Sequence, residues 1–135
     1  MILYHYTTKE SFDKIIETKN LNPSNPWTSQ DHTYGNGWYF TDLDPQKCDI
    51  AIALQCWQTE ESLSKVQYYL KYEIDDSIST FCRENVYIVK RWDNNKIKYV
   101  EGKKIPHCDQ YPCSKCSKGK NIIQKFFDKL FGKAK

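Results

Sequence analysis

Residues 34–43 read Tyr34-Gly35-Asn36-Gly37-Trp38-Tyr39-Phe40-Thr41-Asp42-Leu43, a turn bracketed by two glycines that leads into three consecutive aromatic residues. Glycine takes positive φ readily and lets another backbone approach closely, so the turn predicts a sharp bend. The aromatic residues favour a β-strand, on which alternate side chains point to opposite faces. Trp38 and Phe40 are therefore expected to face the core, and Tyr39 to face the other side.

The segment Leu3-Tyr4-His5-Tyr6-Thr7 lies near the start of the chain and is a short run of apolar and aromatic residues. Such a run predicts a first strand whose alternate residues point into a cleft. His5 stands in the middle of this run. The alternative to a functional role is a structural one, in which the ring nitrogens of His5 are hydrogen-bonded within the sheet.

The residues after this strand predict a helix. Thr7-Thr8-Lys9-Glu10 fits a capping box, in which Thr7 accepts hydrogen bonds from the first-turn amides and Glu10 reaches back. Asn20 would take a left-handed conformation at the other end, and Pro23 would stop the helix. The buried stripe would consist of Phe12, Ile15 and Ile16.

The remaining segments alternate between helix and strand signals. A second helix is predicted from Pro45 to Trp57, where apolar residues fall on one side. Further strands are predicted at 66–74, 85–92 and 97–100, which are rich in β-branched and aromatic residues. The sequence therefore predicts an α+β fold. We divide the chain into a core domain of residues 1–102 and a cysteine- and lysine-rich extension of residues 103–135 that ends in an amphipathic helix.

Length and composition limit the class of protein. At 135 residues the chain is one domain with room for a core, and its 15% aromatic residues supply large buried faces. The net charge of +3 is too mild to argue for nucleic-acid binding by itself. The first residues lack the pattern of a signal peptide, and no apolar run is long enough to span a bilayer, so we expect a cytoplasmic protein.

Six cysteines are scattered through the chain. Their scatter and the missing export signal favour reduced thiols or a metal site over disulfides. One hypothesis is a structural zinc ion, because the thiolates of a Cys-x-x-Cys pair can share one tetrahedral metal; a loop with loose thiols is the alternative. The zinc ligands would be His107, Cys108, Cys113 and Cys116. Cys82 could replace one of the first two, since adjacent residues rarely bind the same metal.

Residues 118–135 contain six apolar residues that recur at helical spacing among lysines. This pattern fits binding to a membrane surface or to a groove on a protein partner. Docking of the apolar side on the protein's own domain fits it equally well. The lysines could also bind nucleic-acid phosphates, although no feature of the sequence indicates recognition of bases.

The segments 3–7 and 34–43 together resemble the ADP-ribosyltransferase superfamily. The likeness is to its small toxin-type branch, defined by a His-Tyr-Asp signature, and it covers roughly the first two-thirds of the chain. The second segment is also similar to the Gly-Lys-Gly-Ile-Tyr-Phe-Ala strand of the poly(ADP-ribose) polymerases. The resemblance implies a split mixed or antiparallel sheet with short flanking helices. It also implies a mono-ADP-ribosyltransferase that cleaves NAD, releases nicotinamide and transfers ADP-ribose to a protein or nucleic-acid acceptor.

By this resemblance, His5 would hydrogen-bond the ribose or an adenosine-side hydroxyl, the backbone at Tyr6 would hold the carboxamide, and Tyr39 would stack on the nicotinamide. A ring that stacks on a cationic pyridinium gains both contact area and charge attraction. Further NAD-binding positions are Thr7, Gly35, Gly37, Thr41 and Asp42. The alternative for Tyr39 is that it is simply an aromatic residue of the core. The alternative for Gly35 and Gly37 is that they only form a hairpin turn.

The catalytic carboxylate is expected on a late strand, and in the poly(ADP-ribose) polymerases it directly precedes Tyr-Ile-Val. Here Tyr87-Ile88-Val89 is present, but Val86 occupies the place of the acid. Glu84 is the substitute, since it lies two residues earlier and thus on the same strand face. Its rivals are Asp42, Glu73, Asp75 and Glu101. The toxin-type signature itself ends in aspartate.

Two other functions are open on the sequence alone. The first is a module that binds ADP-ribose or a nucleotide but has lost catalytic activity. It would explain why the catalytic carboxylate is missing from its expected position. An NAD-dependent RNA 2'-phosphotransferase uses the same fold but needs several arginines or lysines that converge on two phosphates. The sequence holds two arginines, Arg83 and Arg91.

Overall fold

The computed structural model describes residues 1–22, 35–57 and 60–108, and these form two α-helices and two antiparallel sheets of three strands each. The strands are β1 (Ile2–Thr7), β2 (Trp38–Phe40), β3 (Tyr68–Ile74), β4 (Ser79–Arg83), β5 (Val86–Val89) and β6 (Ile97–Lys104). The α-helices are α1 (Lys9–Thr18) and α2 (Asp49–Trp57), and 3₁₀ helices cover Glu60–Lys65 and Asp76–Ile78. The predicted α+β class is confirmed.

The first sheet has the strand order β1-β3-β6, and the second sheet has the order β2-β5-β4. The sheets join where β1 passes the end of β2. There Tyr4 and Thr41 exchange two main-chain hydrogen bonds of 2.8 and 2.9 Å. Within the described residues the ladder between β1 and β2 stops after this bridge, so the two strands splay apart beyond it.

Both faces of β1 are largely buried. Alternation along β1 sends Tyr4 and Tyr6 to the face covered by α2, where they pack in a cluster with Ile52. Leu3 points to the opposite face and packs in a second cluster with Phe40 of β2. Trp38 packs against that same second cluster, so the prediction that Trp38 and Phe40 face the core is confirmed.

The two glycines before β2 have different roles. Gly35 has a φ of +99°, a conformation that residues with a side chain rarely adopt. Gly37 lies against β5, where a Cβ atom would stand 2.7 Å from the carbonyl oxygen of Val89. The turn therefore needs one glycine for its conformation and the other for close approach, as the sequence predicts.

The caps of α1 differ by one residue from the prediction at each end. Thr8 is the N-cap, and its hydroxyl accepts a hydrogen bond of 3.1 Å from the N–H of Ser11, while Thr7 ends β1. Lys19, rather than Asn20, takes the left-handed conformation at the C-cap with a φ of 58°. Both errors arise because neighbouring residues in the sequence could cap the helix equally well.

Other elements are confirmed with shifted ends. The second helix begins at Asp49 instead of Pro45, and β6 continues to Lys104. Strand β4 was not predicted because most of its residues are polar and it lies at the edge of its sheet, where no alternating apolar pattern is required. Ile16 is 43% exposed, so the stripe that α1 buries is narrower than predicted.

Candidate functional site

A cleft of about 270 Å³ opens where β1 and β2 splay apart. Its walls come from both strands, the first turn of α1, the end of α2, Lys65 and the start of β5. The predicted site residues that line it are His5, Tyr6, Thr7, Tyr39 and Thr41. The structure thus brings the histidine of the first strand and the tyrosine of the aromatic strand into one hollow.

His5 is half-buried, and its Nδ1 lies 3.1 Å from the carbonyl oxygen of Tyr39. A carbonyl oxygen can only accept a hydrogen bond, so the neutral ring carries its proton on Nδ1 and leaves Nε2 as the acceptor. Burial lowers the pKa of His5 and outweighs the opposing effect of the hydrogen bond to Tyr39. At neutral pH the ring can therefore accept a hydrogen bond from a ligand hydroxyl.

The backbone of Tyr6 faces the gap between the two sheets. Peptide groups alternate in direction along a strand, and those of Tyr4 point towards β2, where they bond to Thr41. The N–H and C=O of Tyr6 point the same way but lie beyond the bridge. Its buried hydroxyl donates to the carbonyl oxygen of Leu43 at 2.6 Å, and burial raises its pKa. The N–H and C=O of Tyr6 can thus bind a ligand, while its phenol hydroxyl makes a structural contact with Leu43.

The ring of Tyr39 is held by the glycine turn. Its hydroxyl donates to the carbonyl oxygen of Gly35 at 2.5 Å. Gly35 and Gly37 do not themselves line the cleft. The turn therefore acts on the cleft indirectly, by fixing the position of the tyrosine ring.

Two threonines line the cleft through largely structural contacts. Thr41 is buried, is bonded through its backbone to Tyr4, and accepts a hydrogen bond of 3.1 Å on its hydroxyl oxygen from the N–H of Leu43. Thr7 is also buried, and its carbonyl oxygen accepts from the N–H of Gln67 at 3.2 Å. These contacts fix the two ends of the cleft wall along β1.

Glu84 lies in the two-residue turn between β4 and β5, and its side chain is exposed. We expected a strand at this position. The chain turns instead because Asn85 adopts a left-handed conformation with a φ of 66°. Glu84 does not line the cleft, but the turn leads directly into Val86, which does.

Two side-chain contacts hold this turn in place. The amide of Asn85 donates to Oδ1 of Asp42, an exposed residue at the end of the aromatic segment, at 2.8 Å. The guanidinium of Arg83 donates to the carbonyl oxygens of Gln55, at 3.2 Å, and Cys56 at the C-terminal end of α2, where a cation is favoured. The turn is therefore fastened to two segments that both carry cleft residues, and the sequence did not predict either fastening.

All four rival carboxylates lie outside the set of residues that lines the cleft: Asp42, Glu73, Asp75 and Glu101. Glu101 has its own partners, since hydrogen bonds from Lys103 and Tyr69 lower its pKa. Of the five candidate carboxylates, Asp42 and Glu84 are the two that lie beside segments of the cleft.

The cleft residues that were not predicted as site residues include an aromatic ring and a cation. Trp57 is the last residue of α2, and Lys65 is the last residue of the 3₁₀ helix that follows; the Nζ of Lys65 lies 5.7 Å from the centroid of the Trp57 ring. The tryptophan at the end of the predicted helix was the one available signal. Lys65 gave none, because its place depends on how the 3₁₀ helix packs beside β1.

The described residues contain no group of three or more His, Cys, Asp or Glu side chains that could hold a metal ion. Cys113 and Cys116 of the predicted zinc site lie outside those residues, so the zinc site stays a prediction. His107 Nδ1 lies 2.7 Å from Oδ2 of Asp49, and the N–H of Cys108 donates to Oδ1 of Asp49 at 2.9 Å. These contacts fasten the chain after β6 to the start of α2.

Cys48 forms a disulfide and is buried immediately before α2. The expectation that the cysteines are reduced thiols or metal ligands is therefore wrong at this position. Spacing along the chain could not reveal it, because a disulfide depends on which segments meet in the fold.

No helix in residues 1–22, 35–57 and 60–108 has both the length and the apolar character needed to cross a membrane. Residues 118–135, for which binding to a membrane surface or a partner was predicted, lie outside those ranges.

Comparison with known proteins identifies the family. A family model described as HYD1 signature containing ADP-ribosyltransferase matches residues 3–101, a range that includes His5, Tyr39 and Glu84. No curated protein and no solved structure matches the chain. Because the match extends over well more than half of the 135 residues, the chain belongs to the toxin family of ADP-ribosyltransferases that contain the HYD1 signature.

Proposed function

We propose that the protein is a mono-ADP-ribosyltransferase that binds NAD between β1 and β2, releases nicotinamide and transfers ADP-ribose to a protein or nucleic-acid acceptor. The observation that carries this proposal is the 3.1 Å contact between His5 Nδ1 and the carbonyl oxygen of Tyr39, which joins two predicted NAD-binding residues in one cleft. Family membership supplies the reaction class. We interpret the two sheets as the split sheet of the ADP-ribosyltransferase fold.

The nicotinamide group would lie between Tyr6 and Tyr39. Its carboxamide has one acceptor oxygen and an NH₂ donor, which complement the N–H and C=O of Tyr6. The cationic ring would stack on the face of Tyr39, where a quadrupole attracts positive charge. Nε2 of His5 would accept a hydrogen bond from a ribose hydroxyl and so orient the sugar.

The reaction breaks the bond between C1 of the ribose and the ring nitrogen of nicotinamide. The electron pair leaves with nicotinamide, whose positive charge is neutralised, and positive charge develops on the ribose. A carboxylate next to the ribose stabilises the transition state more than the bound substrate, because the charge appears only as the bond breaks. A nucleophilic atom of the acceptor then bonds to C1 and loses its proton.

Glu84 would supply this carboxylate from the mouth of the cleft. Its support is the turn that carries it, which Arg83 fastens to α2 and Asn85 fastens to Asp42. Val86, two residues later, already lines the cleft. Asp42 is the alternative acid, since the same hydrogen bond places it beside the turn.

The test uses purified protein and NAD labelled in its adenylate half, with and without cell lysate. We expect release of nicotinamide and label on a macromolecule in the lysate. Glu84→Gln should slow nicotinamide release by about 10²- to 10³-fold, because it removes the anion but keeps the shape, and should leave NAD affinity unchanged.

Two matched carboxylate variants complete the experiment. Asp42→Asn tests the alternative acid, and Glu73→Gln, on β3 and outside the cleft-lining set, should behave as wild type. Wild-type release by Glu84→Gln together with slow release by Asp42→Asn would assign the acid to Asp42 instead. Failure of the wild-type protein to bind NAD would refute the proposed function altogether.

One observation favours a binding module as the second candidate: Glu84 is exposed and does not line the cleft. Tight binding of NAD or ADP-ribose without nicotinamide release would support that alternative. The RNA 2'-phosphotransferase has no such support. Among the described residues that line the cleft, Lys65 is the one lysine or arginine, and Arg83 is bonded to α2.

A further inference from the structure

A cation and an aromatic ring form a second pair within the cleft, apart from His5 and Tyr39. The Nζ of Lys65 lies 5.7 Å from the centroid of the Trp57 ring, within the range of a cation–π contact. Both side chains are half-buried and line the cleft. The mechanism described above uses neither of them.

The backbone next to Lys65 is fixed to the end of β1. Val66, the next residue, is buried in the same core cluster as Tyr6. The N–H of Gln67 donates to the carbonyl oxygen of Thr7 at 3.2 Å, and the side-chain oxygen of Gln67 accepts from the N–H of Lys9 at 2.9 Å. Lys65 is thus attached near the end of β1, and Thr7 lies about 7 Å along that strand from His5.

No ion pair joins Lys65 to a carboxylate among the residues whose side chains the structure describes. Its ammonium group stands over the tryptophan face, which attracts a cation but accepts no strong hydrogen bond. All three donors of the ammonium group can therefore serve a bound anion. The other polar side chains at this end of the cleft are neutral hydroxyls: Thr7, Thr8 and Ser11.

We propose that Lys65, held over Trp57, binds the diphosphate of NAD. This inference rests on the proposed function, which places the nicotinamide ribose at His5 and leaves the phosphates to extend along β1 towards Thr7. An ammonium group binds phosphate oxygens through charge-assisted hydrogen bonds. At about 270 Å³ the cleft is just smaller than most ligand sites, so the adenosine end of NAD would extend out of its mouth.

The test compares three ligands by calorimetry: NAD, ADP-ribose and free nicotinamide. Lys65→Gln should bind NAD and ADP-ribose about tenfold more weakly, because one charge-assisted hydrogen bond is lost, and should bind nicotinamide as wild type does. Lys65→Arg should retain most of the affinity, since it keeps the charge. Lys98→Gln removes an exposed lysine of β6, away from the cleft, and should match wild type.

The salt dependence gives an independent readout. The affinity of the wild-type protein for ADP-ribose should fall as salt rises, and the affinity of Lys65→Gln should fall less steeply. Equal affinity of the two proteins for both diphosphate ligands would overturn the inference and leave the proposed function intact. An equal loss of nicotinamide binding would also overturn it, because that result would indicate damage to the whole cleft.

The two proposals fail in different ways. A protein that binds ADP-ribose in a Lys65-dependent manner but releases no nicotinamide would retain the diphosphate site and refute the transferase function. A wild-type protein that binds none of the three ligands would refute both.

Discussion

The two sides of the cleft are held in different ways. On the strand wall, formed by β1 and β2, two main-chain hydrogen bonds join Tyr4 to Thr41. On the acidic turn, residues 83–86, the anchoring contacts come from the side chains of Arg83 and Asn85. Main-chain hydrogen bonds remain after most substitutions, whereas a side-chain hydrogen bond is lost when the residue that makes it is replaced.

This difference separates the two tasks of the proposed enzyme. The groups proposed to hold NAD lie on the strand wall, and the carboxylate proposed to promote bond breaking lies on the acidic turn. Substitutions on the wall should therefore change ligand affinity or stability, and substitutions on the turn should change turnover. Each prediction below tests this division.

The largest effect on ligand affinity is expected for Tyr39→Ala, which removes the ring of the strand wall. We expect NAD affinity to fall by about 10- to 100-fold, because both contact area and cation–π attraction are lost. Titration calorimetry would measure it. Tyr39→Phe keeps the ring and removes the hydroxyl that bonds to Gly35, so it should retain most of the affinity. An unchanged affinity in Tyr39→Ala would take this residue out of the site.

Gly37→Ala tests the backbone packing behind the wall. Its Cβ would stand 2.7 Å from the carbonyl oxygen of Val89, so β2 and β5 would have to separate. We expect the free energy of unfolding to fall by about 1–3 kcal/mol, as measured by urea denaturation. Gly35→Ala meets no atom within 4 Å and should cost only the strain of its positive φ, about 1 kcal/mol. A larger loss at Gly35 than at Gly37 would contradict this assignment.

Arg83→Met tests the anchoring of the acidic turn. It keeps the length of the side chain but removes the donors to the C-terminal carbonyls of α2. We expect kcat for nicotinamide release to fall about tenfold with little change in NAD affinity, since the strand wall is untouched. Arg91→Met, at an exposed position, is the matched control. A loss of affinity equal to the loss of turnover would show that the two sides of the cleft do not act separately.

The smallest effect concerns pH and the histidine of the wall. Burial lowers the pKa of His5 in the folded protein, so as pH falls below about 6.5 the unfolded chain takes up a proton that the folded chain still excludes. The contribution of His5 to stability is therefore complete above about pH 6.5 and declines below it. Urea denaturation at pH 7.5 and pH 5.5 should show a steeper loss in wild type than in His5→Gln. Equal slopes would mean that the ring is not desolvated.

The sequence predicted the strand wall well because its determinants are local. A short aromatic run forms β1, a glycine turn followed by aromatic residues forms β2, and alternation along each strand decides which side chains share a face. The convergence of His5 and Tyr39 on one cleft is different, because the two residues are 34 positions apart and their meeting was expected from the family resemblance rather than from a local pattern.

The acidic turn was predicted poorly for the opposite reason. The residues from 85 to 92 have high β-propensity and read as one strand, but the left-handed conformation of Asn85 makes the chain reverse directly before Val86. The anchors of the turn join residues that are far apart in the chain, so no pattern of spacing reveals them. No pattern of spacing reveals the disulfide of Cys48 either. The Lys65–Trp57 pair is closer in sequence, but it depends on how the 3₁₀ helix between the two residues packs.

Hydrogen exchange at the bridge between Tyr4 and Thr41 would report on the internal motion of the protein. Its two amide protons are shielded only while the junction of the sheets stays closed, so their exchange with deuterated solvent records how often it opens. A nucleotide bound next to that junction would stabilise its closed state and slow the exchange. Nuclear magnetic resonance could thus follow ligand occupancy of the cleft from the exchange of two backbone amide protons.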